Sequence, residues 1–168
     1  RSLKQYTKYP ICIVTEDANY KSEYFDIIIV ADLVTDFYGK IVCMQKSPFT
    51  NTLFLDCDTF ICSNVDNLFD VLDLFDMSLL PDRFYHDYPF INKYNPNFKI
   101  RYEHVITQYH CGIILYRMNE AMKTFFKDWE RIHIEQNMKS DMISFREAFI
   151  DNANKVTICP LPFEYNYH

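Results

Sequence analysis

The chain has 168 residues, 49% of them hydrophobic, and suits one compact domain that buries roughly two thirds or more of the surface its unfolded form would expose. A net charge of −6 with no Lys/Arg cluster excludes a nucleic-acid surface, which would gather its positive charge in a patch. No run approaches the roughly 18 to 20 consecutive apolar residues of a membrane span, and "RSLKQYTKYP" lacks the apolar core of a signal peptide, so the expectation is a soluble protein or a soluble domain cut from a longer one.

In chain order, "RSLKQYT" reads as the end of a helix, and "PICIVTE" (10 to 16) and "FDIIIVAD" (25 to 32) as short buried strands. "YGKIVCMQKS" (38 to 47) has its apolar residues at helical spacing, and "PFTN" breaks the helix before the strand "TLFLDCDTFI". In "NVDNLFDVLDLF" (64 to 75), Val65, Leu68, Phe69, Leu72 and Phe75 form one apolar helix face, and "MSLLPD" (77 to 82) is a further short strand. The segment from Arg83 to Tyr109 has little periodicity, is rich in Tyr, Phe, Asn and Pro, and is long for a connection, which makes it a candidate lid or recognition loop. "HCGIILYR" (110 to 117) returns to strand character. "NEAMKTFFKDWERIHIEQ" (119 to 136) is an amphipathic helix, "SDMISFREAFIDN" (140 to 152) a second helix opening on a serine N-cap, and "KVTICPLPFEYNYH" a closing strand with a Pro-rich tail. Strands alternating with helices predict an α/β sandwich with a largely parallel sheet, in a single domain over residues 1–168.

Two kinds of residue narrow the function. The six cysteines sit singly, mostly within apolar runs and without zinc spacing, so they read as reduced core residues of a cytoplasmic protein. With only two glycines, Gly39 and Gly112, no glycine-rich phosphate loop can be assembled.

"LFLDCDTFI" (53 to 61) sets two carboxylates in the most strand-like segment of the chain. A carboxylate inside a sheet covered on both faces is costly unless paired or metal-bound, whereas the carboxyl end of a strand is where ligands of such sheets bind. Two residues apart, Asp56 and Asp58 are expected to leave the strand on the same side and to hold a hard cation, Mn2+ or Mg2+, whose open positions diphosphate oxygens fill. The plainer alternative is a turn cap and a surface ion pair.

Residues 38 to 76, "YGKIVCMQKSPFTNTLFLDCDTFICSNVDNLFDVLDLFD", resemble the central block of the GT-A glycosyltransferases, above all the glycogenin-like nucleotide-sugar transferases. Their pattern is a lysine-bearing helix, a strand ending Leu-Asp-x-Asp-Thr, then Asn-x-Asp-x-Leu-Phe. Downstream, "YHCGIILYRMN", "FFKDWERI" and "SDMISFREAF" are similar to the family's Asn-Ser-Gly strand, its next helix and its Asp-Gln segment. The resemblance implies a Rossmann-like α/β/α sandwich and a metal-dependent transfer of sugar from a nucleotide-diphosphate donor, such as a UDP-sugar, to a saccharide, lipid or protein acceptor. The family's first strand, part of the nucleotide-base pocket, has no counterpart before "RSLKQY"; either the chain is a fragment or the base is held differently.

Carried over residue by residue, the resemblance makes Asp58 the metal-binding carboxylate and Asp56 the one that contacts the ribose and helps hold the metal. It makes Lys40 the helix lysine that reaches the donor, His110 and Gly112 part of the donor-sugar strand, and Asp141 the acidic residue near the reacting sugar. The late His168 stands as a further metal ligand. His110 and Met142 depart from the family's asparagine and glutamine, which bears on sugar identity and stereochemical course. Two competitors are a haloacid-dehalogenase-like phosphatase, whose Asp-x-Asp-x-Thr differs from "DCDTF" in the place of the threonine, and a non-catalytic nucleotide-sugar-binding domain.

Overall fold

The computed structural model describes residues 1–33, 37–82, 93, 95–102 and 105–165. Among the described residues, six strands, β1 (Cys12–Thr15), β2 (Ile27–Val30), β3 (Asn51–Leu55), β4 (Met77–Pro81), β5 (Tyr109–Arg117) and β6 (Ile158–Pro160), join three longer α-helices, α1 (Phe37–Gln45), α2 (Glu120–Glu135) and α3 (Asp141–Asn152). A 3-10 helix spans Asp66–Asp73 where the apolar spacing predicts a regular helix, and Leu3–Gln5 forms a single 3-10 turn. The first of these still places its apolar residues as expected, with Val65, Leu68 and Leu72 buried.

The architecture is α/β, and its sheets are mixed rather than largely parallel. β1 and β2 pair parallel in a two-stranded sheet, and the larger sheet has the order β3-β5-β4-β6. β3 and β4 point the same way, as a crossover between them requires, but β5 lies between them and runs antiparallel to both; only β4 and β6 pair parallel in that sheet. The expectation failed because alternation of strands and helices counts elements without fixing which gap a later strand enters.

β5 is buried along almost its whole length, as a central strand should be. Its side chains alternate between two cores. Ile114 and Tyr116 face the α-helices, joining Met77, Leu79, Trp129, Phe125, Phe126 and Phe145. Ile113 and Leu115 face the other way, onto Leu68, Leu72, Leu80 and Leu161. The helical side is dominated by aromatic edge-to-face contacts, Trp129 on Phe145 at 5.0 Å and Phe125 on Phe145 at 5.2 Å, and these lock α2 to α3. α2 starts where the sequence places it, because the Asn119 side chain accepts the Met122 N–H at 2.9 Å.

None of the six cysteines is in a disulfide, but only Cys111 is in the core; Cys57 and Cys62 are exposed. The last two follow the end of β3, where the chain turns out towards solvent, so their apolar neighbours in sequence do not bury them. No helix among the described residues is long and apolar enough to cross a membrane.

Candidate functional site

Four segments meet beyond the end of β3. α1 carries Lys40 inward: its ammonium lies 2.8 Å from Asp141 Oδ2 and 3.1 Å from Asp56 Oδ1, and donates to the Cys111 carbonyl at 3.3 Å. The ammonium hydrogen-bonds Asp56 and the Cys111 carbonyl and forms an ion pair with Asp141. The Asp141 side chain is only 5% exposed and that of Lys40 14%, so this is a buried cluster of two carboxylates around one cation. Burial alone would lower the Lys40 pKa; the Asp141 and Asp56 carboxylates outweigh it and raise the value above that of an ordinary lysine. Asp56 is pushed up, first by burial and further by Asp141 and Asp58, against the opposing pull of Lys40.

The two aspartates of the triplet do not share a strand face, contrary to the alternation expected of them. β3 ends at Leu55; the Asp56 N–H still bonds to the Gly112 carbonyl at 2.9 Å, but Cys57 and Asp58 form a turn closed by Thr59 N–H on the Asp56 carbonyl at 3.0 Å. Asp56 therefore turns inward to Lys40, and Asp58 is exposed. They remain neighbours, since Asp58 is among the charges that raise Asp56.

Gly112 is required by space. A Cβ there would lie 2.6 Å from His110 Cε1, so the ring would have to move, and a tight 3.1 Å from Asp56 Oδ2. The His110 ring folds over this position and its Nδ1 accepts the Gly112 N–H at 3.1 Å, which assigns the proton of the neutral ring to Nε2.

Lys40, Asp56, His110, Gly112 and Asp141, all singled out from sequence, line one cleft of about 230 Å³, with Met142 beside them. Phe37, Lys139 and Ser140 also line it and were not anticipated. Lys139 is exposed and makes no bond among the described residues, which leaves it as the cation at the cleft with unused hydrogens. Its position directly before the Ser140 N-cap was the available signal. Also missed was the support behind Asp141. The Trp129 indole N–H donates to Ser144 Oγ at 3.0 Å, and that hydroxyl lies 3.1 Å from the Asp141 carbonyl and 2.9 Å from His133 Nδ1, all of it buried. This network fixes the first turn of α3, and with it the Asp141 side chain.

Among the described residues, no group of three or more His, Cys, Asp or Glu side chains gathers to hold a metal ion, and His168 lies outside those residues. The carboxylates present are of the kind a hard cation takes, although Asp56 and Asp58 do not share a face and Asp56 is paired with Lys40. Lys40 pairs with Asp56 and Asp141, and Asp58 lies near enough to add its charge to that of Asp56. No protein-family model matches the chain, and no curated protein matches it in sequence.

Proposed function

We propose that the chain is a metal-dependent glycosyltransferase of GT-A type, moving a sugar from a nucleotide-diphosphate donor, such as a UDP-sugar, to an acceptor hydroxyl. The observation that carries this reading is the meeting of Lys40, Asp56, His110, Gly112 and Asp141, from four segments distant in sequence, around a single cleft. A cleft of about 230 Å³ is below the roughly 300–1,000 Å³ of sites that enclose a whole drug-sized ligand, and suits the sugar and diphosphate end of the donor.

In such a transfer the bond from the anomeric carbon to the diphosphate oxygen breaks, the diphosphate keeps the electron pair, and the acceptor oxygen bonds to the carbon as its proton passes to the departing diphosphate. Asp56 and Asp58 would hold Mn2+ or Mg2+, which when bound offsets the charge gathering on the departing diphosphate. Lys40, held between the two carboxylates and the Cys111 carbonyl, keeps Asp56 and Asp141 in register instead of reaching a phosphate itself. Lys139 supplies the cation that a phosphate can meet directly. Asp141 Oδ2 already faces the Lys40 ammonium, so a proton from the acceptor would have to compete with it. This favours a carboxylate that flanks the sugar and stabilises its cationic character over one acting as general base.

A phosphatase would need Asp56 free as a nucleophile, and its engagement by Lys40 speaks against that role. The deciding experiment is calorimetric titration of UDP with and without Mn2+, alongside UDP release from UDP-sugars. Metal-dependent binding with release supports the transferase, and binding without release indicates a non-catalytic domain. Absence of metal-dependent binding, or unchanged affinity in Asp58→Asn, whose exposed side chain leaves the fold intact, refutes the assignment.

A further inference from the structure

A larger trough, about 720 Å³, opens on the other side of the α2–α3 connection. One wall is the segment 95–101; the other is the last turns of α2 and the middle of α3. The segment is fastened at both ends. Asn95 Nδ2 donates to the carbonyls of Gln136 and Asn137 at 2.8 and 3.2 Å. Arg101 pairs with buried Glu147 and, at 2.8 Å, with Asp151, and donates to the Glu147 carbonyl at 2.9 Å. Between these fastenings Phe98 and Ile100 pack on Met138 and Ile143, a small apolar cluster separate from the two main cores. The trough is therefore preformed, and closing around a ligand would require little new ordering.

Its chemistry narrows the ligand. Asn95, Asn97 and Gln136 present amides, and Lys99, Arg101 and Arg131 with Glu147 and Asp151 bring both signs of charge. Each guanidinium is already paired, Arg131 with Glu135 at 3.0 Å and with Asp128 at 3.4 Å. An apolar ligand would strip water from these groups without replacing its hydrogen bonds. A polyanion would meet Glu147 and Asp151 and, with both guanidinium groups engaged, would have the exposed Lys99 ammonium as its cation. A neutral polyhydroxylated chain suits the lining, because every hydroxyl both donates and accepts, and the ring of Phe98 offers an apolar face for a sugar's C–H groups.

We propose that this trough binds a neutral oligosaccharide, the acceptor chain of the transfer. Gln136 lines the trough and Lys139 the Asp56 cleft, three residues away, so at most about 10 Å of extended chain separates them. The acceptor role rests on the glycosyltransferase reading; the saccharide-binding role does not.

The test uses the whole chain without nucleotide or metal. Maltohexaose, cellohexaose and chitohexaose are titrated by calorimetry, with a heparin hexasaccharide as the anionic comparison. At least one neutral hexasaccharide should bind, and Asn97→Ala combined with Arg131→Ala, both at exposed positions, should weaken it about tenfold or more. Gln136→Ala, also exposed, provides an independent variant, and unfolding curves confirm that each is folded. Failure of all neutral oligosaccharides to bind, binding of the heparin fragment alone, or binding unaffected by the variants each overturns the proposal. Saccharide binding in a protein that ignores UDP and Mn2+ would instead refute the transferase reading while leaving this site standing.

Discussion

Replacing Lys40 by methionine keeps the length of the side chain and removes the one cation that Asp56 and Asp141 share. The loss falls mainly on Asp141, 5% exposed and 2.8 Å from the ammonium; Asp56 has solvent on one side and loses less. Removing one partner of a buried ion pair costs about 3–5 kcal/mol, because the other charge stays buried without compensation. For a chain of this size each kcal/mol moves the melting temperature by about 2–4 °C, so Lys40→Met should melt roughly 6–20 °C below the parent. Asp141→Asn added to it should recover most of the loss by removing the stranded charge. The pH dependence has a definite sign. Lys40 titrates above an ordinary lysine, so its contribution is complete below the unfolded value of about 10.4 and is lost only as pH rises through the folded value. The gap between parent and variant should thus be flat from about pH 6 to 9, as followed by circular dichroism during thermal and urea unfolding. A drop under about 2 °C, or a double variant as unstable as the single one, would refute the reasoning, for Lys40 would then be a solvated lysine and not the centre of the cluster.

Three further outcomes are expected. Lys139→Ala should leave the melting temperature unchanged and weaken UDP binding in Mn2+ about tenfold, the scale of one charge-assisted contact, as measured by calorimetry. Burial would raise Asp76, but the Thr157 N–H, the Thr157 hydroxyl and Asn119, at 2.9, 2.8 and 2.7 Å, outweigh it and hold its pKa low. Its stabilisation is therefore present above about pH 4 and fades as pH falls through the depressed value, so Asp76→Asn should flatten the acid limb of a stability–pH curve. Arg146, wholly buried, donates to the carbonyls of Tyr102 and Ile106, and Arg146→Met should speed proteolysis within residues 95–109, read by mass spectrometry.

Arg146 also bears on the segment from Arg83 to Tyr109, whose lack of periodicity suggests a cover. Residues 95–102 and 105–109 are pinned to α2 and α3 through Asn95, Arg101 and Arg146, so as far as they are described they form a wall. Phe84, Tyr85, Tyr88, Phe90 and Tyr94 lie outside the described residues. The pinning was illegible in the sequence because its partners, Gln136 and Glu147, sit some forty or more positions away with nothing to mark the pairing. Asp56 was legible for the opposite reason, as part of a carboxylate pair at the end of an apolar strand, and Lys40 and Asp141 were singled out by the resemblance of their segments to the GT-A pattern. The direction of β5 left no such trace. Its run of buried residues fits any central strand, parallel or antiparallel. The inward turn of Asp56 and outward turn of Asp58 depended on where β3 stops, and strand ends are poorly marked when an apolar run continues past them, as Phe60 and Ile61 do here.

The antiparallel slot taken by β5 has a kinetic consequence. In this sheet β3 and β4 come before β5 in the chain, yet neither touches the other, and the edges they turn towards each other are filled only when β5 arrives, Asn51 against Arg117 and Met77 against Tyr116. Until that strand inserts, two half-formed edges stand open to pairing with each other or with another chain. Such long-range closure is slow, since loop entropy is lost before the contacts form. β5 also carries His110, Cys111 and Gly112, so the carbonyl that receives Lys40 and the backbone beneath Asp56 come into place in the same step. Binding competence should therefore appear in refolding together with the insertion of β5.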